Sequence, residues 1–351
     1  MKEKKPGGFA GKIRRMSDTN VLLTITIIVF FVMYICAMVF QGSGFLKPQT
    51  FCNILNNNAA LIISACGMSI VMITGGIDIS VGGAATLVSM CCAVHLDYHN
   101  GSVFTAVLIA LGIGLAYGLV QGFLVAYLDI QPFIVSLAGM FFARGMTTIV
   151  NTKPFNVVHA GFKKVKETRL RLPGIGSVNK KGVFVNAYVE IGVVVALLVV
   201  LIFFIILRWT RQGRNFYAVG GSRTSALMLG INVKRTRFLS HMICSTLAGI
   251  GGFVYFLHVG SGSASHAMGM EMNAIASSII GGTMLTGGVG NVIGTLFGVL
   301  SLSTIQNIVT SAGFDKAWWT GITVAAMLCI FLVIQSILMT WKKKALSGSD
   351  D

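Results

Sequence analysis

Few side chains in this sequence could do chemistry, and most of them lie inside apolar runs. The turn Gly75-Gly76-Ile77-Asp78-Ile79-Ser80, entered from Thr74, places a carboxylate, a hydroxyl and freed backbone amides between two apolar stretches. Such groups are costly at membrane depth unless paired or hydrated. The pattern predicts a broken-helix junction beside a transport path, with Asp78 or Ser80 also accepting from the amides that open the next helix. A second glycine-paired segment, Ile280-Gly281-Gly282 through Gly287-Gly288, likewise joins two apolar runs and hints at two related halves. Further polar groups are Asn56, Asn57, Asn58, Gln121, Arg144, Glu190, Glu271, Asn273, Gln306 and Asn307. The set is rich in amides, which suits a neutral polyhydroxylated solute, whereas a proton relay needs chains of buried Asp, Glu or His. Glu190, Glu271 and Asn273 fit equally well at the outer membrane interface.

Catalysis is not indicated. No Ser/His/Asp or Cys/His set can be argued from spacing, and no GxxxxGK[ST] loop is present, so any ATP and magnesium would be bound by another subunit. His95-Leu-Asp-Tyr-His99 has a superficial metal spacing but falls at an expected helix end without further ligands, and reads as a solvated loop. The seven cysteines lie mostly within apolar runs and contain no CxxC, so they read as packing residues.

The elements that position these groups follow from composition. Of 351 residues 54% are hydrophobic and 11% charged, a surplus of apolar surface that one water-soluble core cannot hide. Long runs rather than short alternating strands favour helices over a barrel. The sequence predicts an all-α integral membrane protein of about ten transmembrane helices: residues 21–40, 55–74, 80–96, 103–128, 133–150, 188–207, 238–258, 272–286, 292–309 and 317–340. The third and eighth are short and glycine-rich, which marks them as half-helices or buried segments. Among the 42 glycines, most read as helix-packing positions, Gly112, Gly114 and Gly118 included. The first run is long enough to span and is read as a retained helix rather than a cleaved leader.

A net charge of +16 invites a nucleic-acid reading, but the basic residues sit between apolar runs without a basic stripe. They serve topology instead. With ten spans both ends share a side that carries sixteen Lys and Arg, against ten on the other, so both termini are expected in the cytoplasm of a bacterial inner membrane. The organisation is then a basic amino terminus (1–20), one permeating domain (21–341) and a tail (342–351), with an outer connection at 151–187 and a cytoplasmic one at 208–237. The outer connection, with Lys163, Lys164, Lys166, Arg169, Arg171, Lys180 and Lys181, narrows the charge margin.

The cytoplasmic connection reads as a short helix between glycines. Gly220 and Gly221 precede it, Ser222 is a good N-cap beside Arg223, Ala226, Leu227 and Leu229 offer a small apolar face, and Gly230 before Ile231 ends it. Without a partner it would lie on lipid headgroups, held by its arginines.

The stretch Tyr217-Ala-Val-Gly-Gly-Ser-Arg-Thr-Ser-Ala-Leu-Met-Leu-Gly-Ile-Asn-Val233 resembles the coupling loop of monosaccharide ABC-transporter permeases of the ribose, xylose and galactose group. The likeness continues through Gly75–Gly82, Phe142-Ala-Arg-Gly145, Leu247–Gly252, Met272–Ala276, Ile279–Thr283, Leu285–Gly290 and Gly294–Gly298, in order. Glu271-Met-Asn-Ala-Ile-Ala and Trp318-Trp-Thr320 resemble most the second permease of galactofuranose-type systems. Many members carry Asp where this chain has Asn273, and Ala-Ala-Arg-Leu where it has Ser225–Met228.

The resemblance implies a non-enzymatic subunit working with a cytosolic ABC ATPase, a second permease (the same chain or another) and an extracytoplasmic sugar-binding protein. The coupling contact would be made by Gly220–Arg223, Ala226 and Leu229–Ile231. The path would draw on Asn57, Thr74, Gly75, Gly76, Asp78, Ser80, Arg144, Asn273, Gly281, Gly282, Gln306 and Asn307. Three rival readings compete: an ion-coupled carrier using Asp78, Glu190 or Glu271, a branched-chain amino-acid permease, and a structural partner with an incomplete path.

Overall fold

The structure is a computed structural model that describes residues 17–41, 44–178, 183–314 and 316–347. The basic segment 1–16, Lys180, Lys181 and residues 348–351 lie outside the described residues, as do the side chains of Lys342–Lys344.

The chain runs α1 (Asp18–Gln41), α2 (Pro48–Ile73), α3 (Ser80–Asp97), α4 (Val103–Ala126), α5 (Pro132–Val150), β1 (Phe155–Asn156), α6 (Ala160–Lys166), β2 (Arg169–Val178), β3 (Phe184–Glu190), α7 (Ile191–Trp209), α8 (Arg211–Gly221), α9 (Arg223–Met228), α10 (Val233–Val259), β4 (Ser261–Gly262), α11 (Met270–Ile280), α12 (Val292–Ser311) and α13 (Ala317–Ser347). Among the described residues nine helices are long and apolar enough to cross a membrane. The expected all-α membrane architecture holds with one span fewer. The eighth predicted span shrinks to α11, whose 11 residues reach only about 17 Å at 1.5 Å each, half of a hydrocarbon core. The third is a complete helix of 18 residues that is short but deeply enclosed.

Local signals explain the boundaries. Ser102 Oγ accepts from the Thr105 amide to open α4, Asn232 Oδ1 accepts from Arg235 to open α10, and Gly260 closes α10 at φ +77. The outer connection at 151–187 is structured. It forms a β-hairpin, β2 against β3, and the sixth predicted span therefore starts three residues late, since Tyr188 belongs to β3. Phe184, Val185, Tyr188 and Val189 are β-formers that the long apolar run beyond them obscured.

At the centre stands α2, buried without interruption from Ile62 to Ile73. It packs with α7, α10, α11 and α12 in the main core, which α3 joins by packing on α10. Glycines bring helices together: a Cβ on Gly67 would lie 3.0 Å from Cys244 Cα, and one on Gly118 2.7 Å from Met242 Cα. Gly114 packs in the same way, while Gly112 faces open space. Outside this core α4 exposes Leu108, Leu115, Leu119 and Phe123, the surface expected toward acyl chains.

Candidate functional site

The predicted site residues separate into three places. The first is a joint where three backbone segments touch without side chains between them. At its centre is Gly220, near the end of α8. A Cβ there would stand 1.7 Å from the Ile73 carbonyl oxygen and 2.5 Å from the Gly288 nitrogen. Gly288 donates its N–H to the Ile73 oxygen at 2.9 Å, and Gly287 sits against Gly220 and Gly75. Gly287 and Gly288 take φ +85 and +74, left-handed values that only glycine adopts freely. Tyr217, half-buried, donates its hydroxyl to the Gly290 oxygen at 2.8 Å, and burial pushes that phenol up to about 12, so it stays a donor at any physiological pH. Thus α8 is bonded to the 281–291 turn and packed on the end of α2. The two glycine-paired hairpins meet each other at this helix.

Beyond Gly220 the helices diverge in character. Ser222 caps α9 by accepting from the Ser225 amide at 3.2 Å, and Gly230 ends it at φ +75, as the sequence predicts. The apolar face divides: Ala226 is buried against Val219 and Val233, whereas Leu227, Met228 and Leu229 are 61%, 84% and 77% exposed. Gly221, Ser222 and Arg223 are exposed with them, and Ile231 is half-buried. This is an unfilled surface on an otherwise well-packed end.

A second tie was missed from sequence, where Arg237 counted only as a topological charge. Arg237 is buried and its guanidinium bonds Asp129 at 2.5 Å, joining the start of α10 to the α4–α5 turn. That bond, with the Arg237 charge, holds the Asp129 carboxyl below its ordinary value; Arg223 and Lys234 add to it. Burial and the neighbouring Arg237 in turn lower Arg223.

Thr74, Asp78 and Ser80 are buried, which makes them parts of the joint's inner wall rather than the lining of an open passage. Thr74 donates to Val71 and Ser240. Asp78 Oδ1 accepts from both the amide and the hydroxyl of Ser80, and Ser245 reaches Oδ2. Ser245 lies twelve residues along α10, about 18 Å from Val233. The carboxylate therefore sits well inside the membrane and caps α3, as predicted. Gln121 donates to Ser80, and Gly76 leaves room for His241, fully enclosed beside Asp78. Gly281 packs on Gly294 and Thr295, Gly282 on Leu22, while Gly75 is exposed.

The second place is an ion pair. Arg144 on α5 lies 3.5 Å from Glu271 at the start of α11, with side chains 22% and 11% exposed. Arg144 is twelve residues from Pro132 but only six, about 9 Å, from Val150, the nearer end of α5. Of the three groups read as interfacial, Glu271 thus lies about two turns inside that end, with half-buried Asn273 beside it. Glu190 does lie at a helix end, its Oε2 2.7 Å from His258 Nδ1. Between Gly260 and Met270 the chain descends to this pair without a helix, through Ser261, Ser263, Ser265 and His266, and non-helical backbone at such depth is tolerated only where it is buried or faces water.

The third place is an open cleft of about 560 Å³ at the end opposite the joint, lined by Asn53, Asn57, Asn307 and Ser311. It brings together Asn57 and Asn307 from distant parts of the sequence. Gln306 is half-buried outside it, and Asn58 is consumed by Ile54 and Ser303. At the end of α3, His95 bonds Thr105 and Asp97 accepts from the Val158 amide, so the His95–His99 stretch is tied into packing rather than solvated throughout.

Comparison with known proteins bears on all three places. The family described as "Branched-chain amino acid transport system / permease component" matches residues 50–332. The chain is 36% identical to the inner membrane ABC transporter permease protein YjfF of Escherichia coli K12, covering 94% of this chain and 96% of that one. It is 33% identical to the fructose import permease protein FruG of Bifidobacterium longum, over 92% and 93% of the two chains. With the ribose import permease protein RbsC of Escherichia coli K12 it shares 31%, over 83% and 87%. No solved structure matches. Residues 50–332 hold the joint, the ion pair and most of the cleft, and on that match the chain belongs to this permease family, among relatives that are permeases of sugar ABC importers.

Proposed function

We propose that the chain forms the translocation path of an ATP-driven monosaccharide importer and takes its driving force through α8 and α9 from a separate cytosolic ATPase. The observation that supports this most is Gly220. A helix seated on two hairpins through close backbone contact at Gly220 and the Tyr217–Gly290 bond cannot shift without moving both, so a push on the exposed Leu227–Leu229 surface reaches α2, α3 and α12 together. The protein needs only two arrangements close in free energy, one of which the ATPase favours.

The Arg144–Glu271 pair supports a second permease. A partly exposed ion pair about 9 Å inside the nearer end of α5 would be costly against acyl chains. Its face, with Asn273, belongs against another copy or a paired permease, with a hydrated passage between them. Both termini and the joint then lie in the cytoplasm, and the amide-lined cleft opens outward beneath a sugar-binding protein. The relatives named for fructose and ribose favour a monosaccharide, and the Glu271–Ala276 and Trp318–Thr320 stretches favour a galactofuranose-type solute.

The test is uptake into proteoliposomes holding the chain, its ATPase, the partner permease and the binding protein. Import is expected to require ATP, to survive collapse of the proton gradient at constant ATP, and to be competed by free sugar but not by leucine. Import by the chain alone, without nucleotide, contradicts the proposal.

A further inference from the structure

A cleft of about 370 Å³ opens at the joint end between the start of α1, the end of α7 and α8. Its polar wall carries Arg208, Arg214, Ser17 and Asn20, its apolar wall Phe204, and its floor is Tyr217 beside Gly288. No carboxylate lines it, and no ion pair among the described residues engages either arginine. One guanidinium nitrogen of Arg214 donates to the Trp209 carbonyl, which leaves most of its donors facing the cleft.

Depth selects the ligand. Helix α7 has 19 residues, about 28 Å of rise, which matches one hydrocarbon core and brings Arg208 and Trp209 to its polar edge. Trp209 is 63% exposed, the position of an interfacial anchor. Two guanidinium forks at headgroup level, above an apolar wall that continues toward the acyl region, match a phosphodiester with its chains attached.

We infer that this cleft binds the phosphate of an anionic phospholipid headgroup, held by Arg208 and Arg214. Because its floor is Tyr217 and Gly288, the headgroup rests directly on the coupling joint, and occupancy favours the arrangement in which α8 is seated. Lipid binding does not depend on the transport reading, since it is measured on the chain itself, whereas its effect on α8 rests on that reading.

In nanodiscs of phosphatidylcholine, a chain with Trp318, Trp319 and Trp341 replaced by Phe leaves Trp209 as its one indole. Brominated phosphatidylglycerol is expected to quench it at far lower mole fraction than brominated phosphatidylcholine. Arg208→Gln with Arg214→Gln is expected to cost about thirtyfold of that preference, at roughly 1 kcal/mol per basic contact, and the Lys pair to retain most of it. Native mass spectrometry of the unsubstituted chain, counting retained phosphatidylglycerol, checks that the Phe replacements are harmless. Equal quenching by both lipids, or an unchanged preference in the double Gln variant, overturns the inference. Displacement of the lipid by millimolar glycerol phosphate assigns the site to a free anion and overturns the lipid source.

Discussion

The two ends of this molecule are built on opposite principles. At the joint end, Gly220, Gly287 and Gly288 meet the end of α2 through backbone, with no side-chain atom to yield. At the other end, Asn53, Asn57, Asn307 and Ser311 leave open volume, and the neighbouring contacts run between side chains such as Glu190 and His258. Backbone contact transmits displacement, because a packed contact has nowhere to relax. Open amide-lined volume transmits nothing and can hold a solute. The difference separates where force enters from where cargo waits.

The sharpest way to break this comparison is to add one side chain. Gly220→Leu is expected to abolish uptake, at least a hundredfold, since even its Cβ overlaps the Ile73 oxygen. Gly221→Leu, next along the chain with nothing within 4 Å, is expected to reach the membrane and to keep assembly intact. Uptake and membrane yield measured on both would show whether the joint is as tight as its geometry.

The ion pair at depth comes next. Glu271→Ala leaves the partly exposed Arg144 without its partner and is expected to cost about 2 kcal/mol of stability, read as loss of the folded fraction in detergent. Changing both residues to Met is expected to recover most of that stability while leaving uptake impaired. That split separates a structural cost from a role at the permease interface.

At the open end the effects should be small and confined to solute handling. Asn57→Leu or Asn307→Leu is expected to raise the KM for uptake roughly three- to tenfold, about the value of one or two hydrogen bonds, with unchanged thermal stability. Loss of stability in both would make the cleft a packing feature.

The smallest effect is that of pH. Arg237 holds Asp129 below its ordinary 3.8. The ion pair therefore contributes fully above 3.8 and is lost only as pH falls through the depressed value. Stability is expected to be flat in this respect from pH 8 to 5, and Asp129→Asn to lower it evenly across that range. Thermal unfolding at three pH values checks the sign.

Sequence reading went furthest where local physics decides. Ser222 and Gly230 bound α9 because capping and a left-handed residue are local events, and the long apolar runs became helices because lipid allows little else. It fell short where the decisive contact is distant. Nothing near Gly220 signals that Ile73 and Gly288 will lie against it, since glycine richness is the same whether a helix is packed or free, as Gly112 shows. Arg237 and Asp129 are 108 residues apart, and each alone looks like a surface charge. Glu271 resembled an interfacial residue because a polar stretch precedes it, but that stretch is the unwound descent itself. Asp78 was legible as a cap, and its enclosure came from α4 and α10, which no local pattern announces.

The central claim is that α8 drives both hairpins as one body. It is tested most directly by the ratio of sugar imported to ATP hydrolysed in the fully reconstituted importer, comparing Gly220→Ala with Gly112→Ala, whose added Cβ meets nothing within 4 Å. A loosened joint should leave hydrolysis running and cut the ratio at least tenfold for Gly220→Ala alone, with Gly112→Ala unchanged. An undiminished ratio for an assembled Gly220→Ala importer would contradict the account.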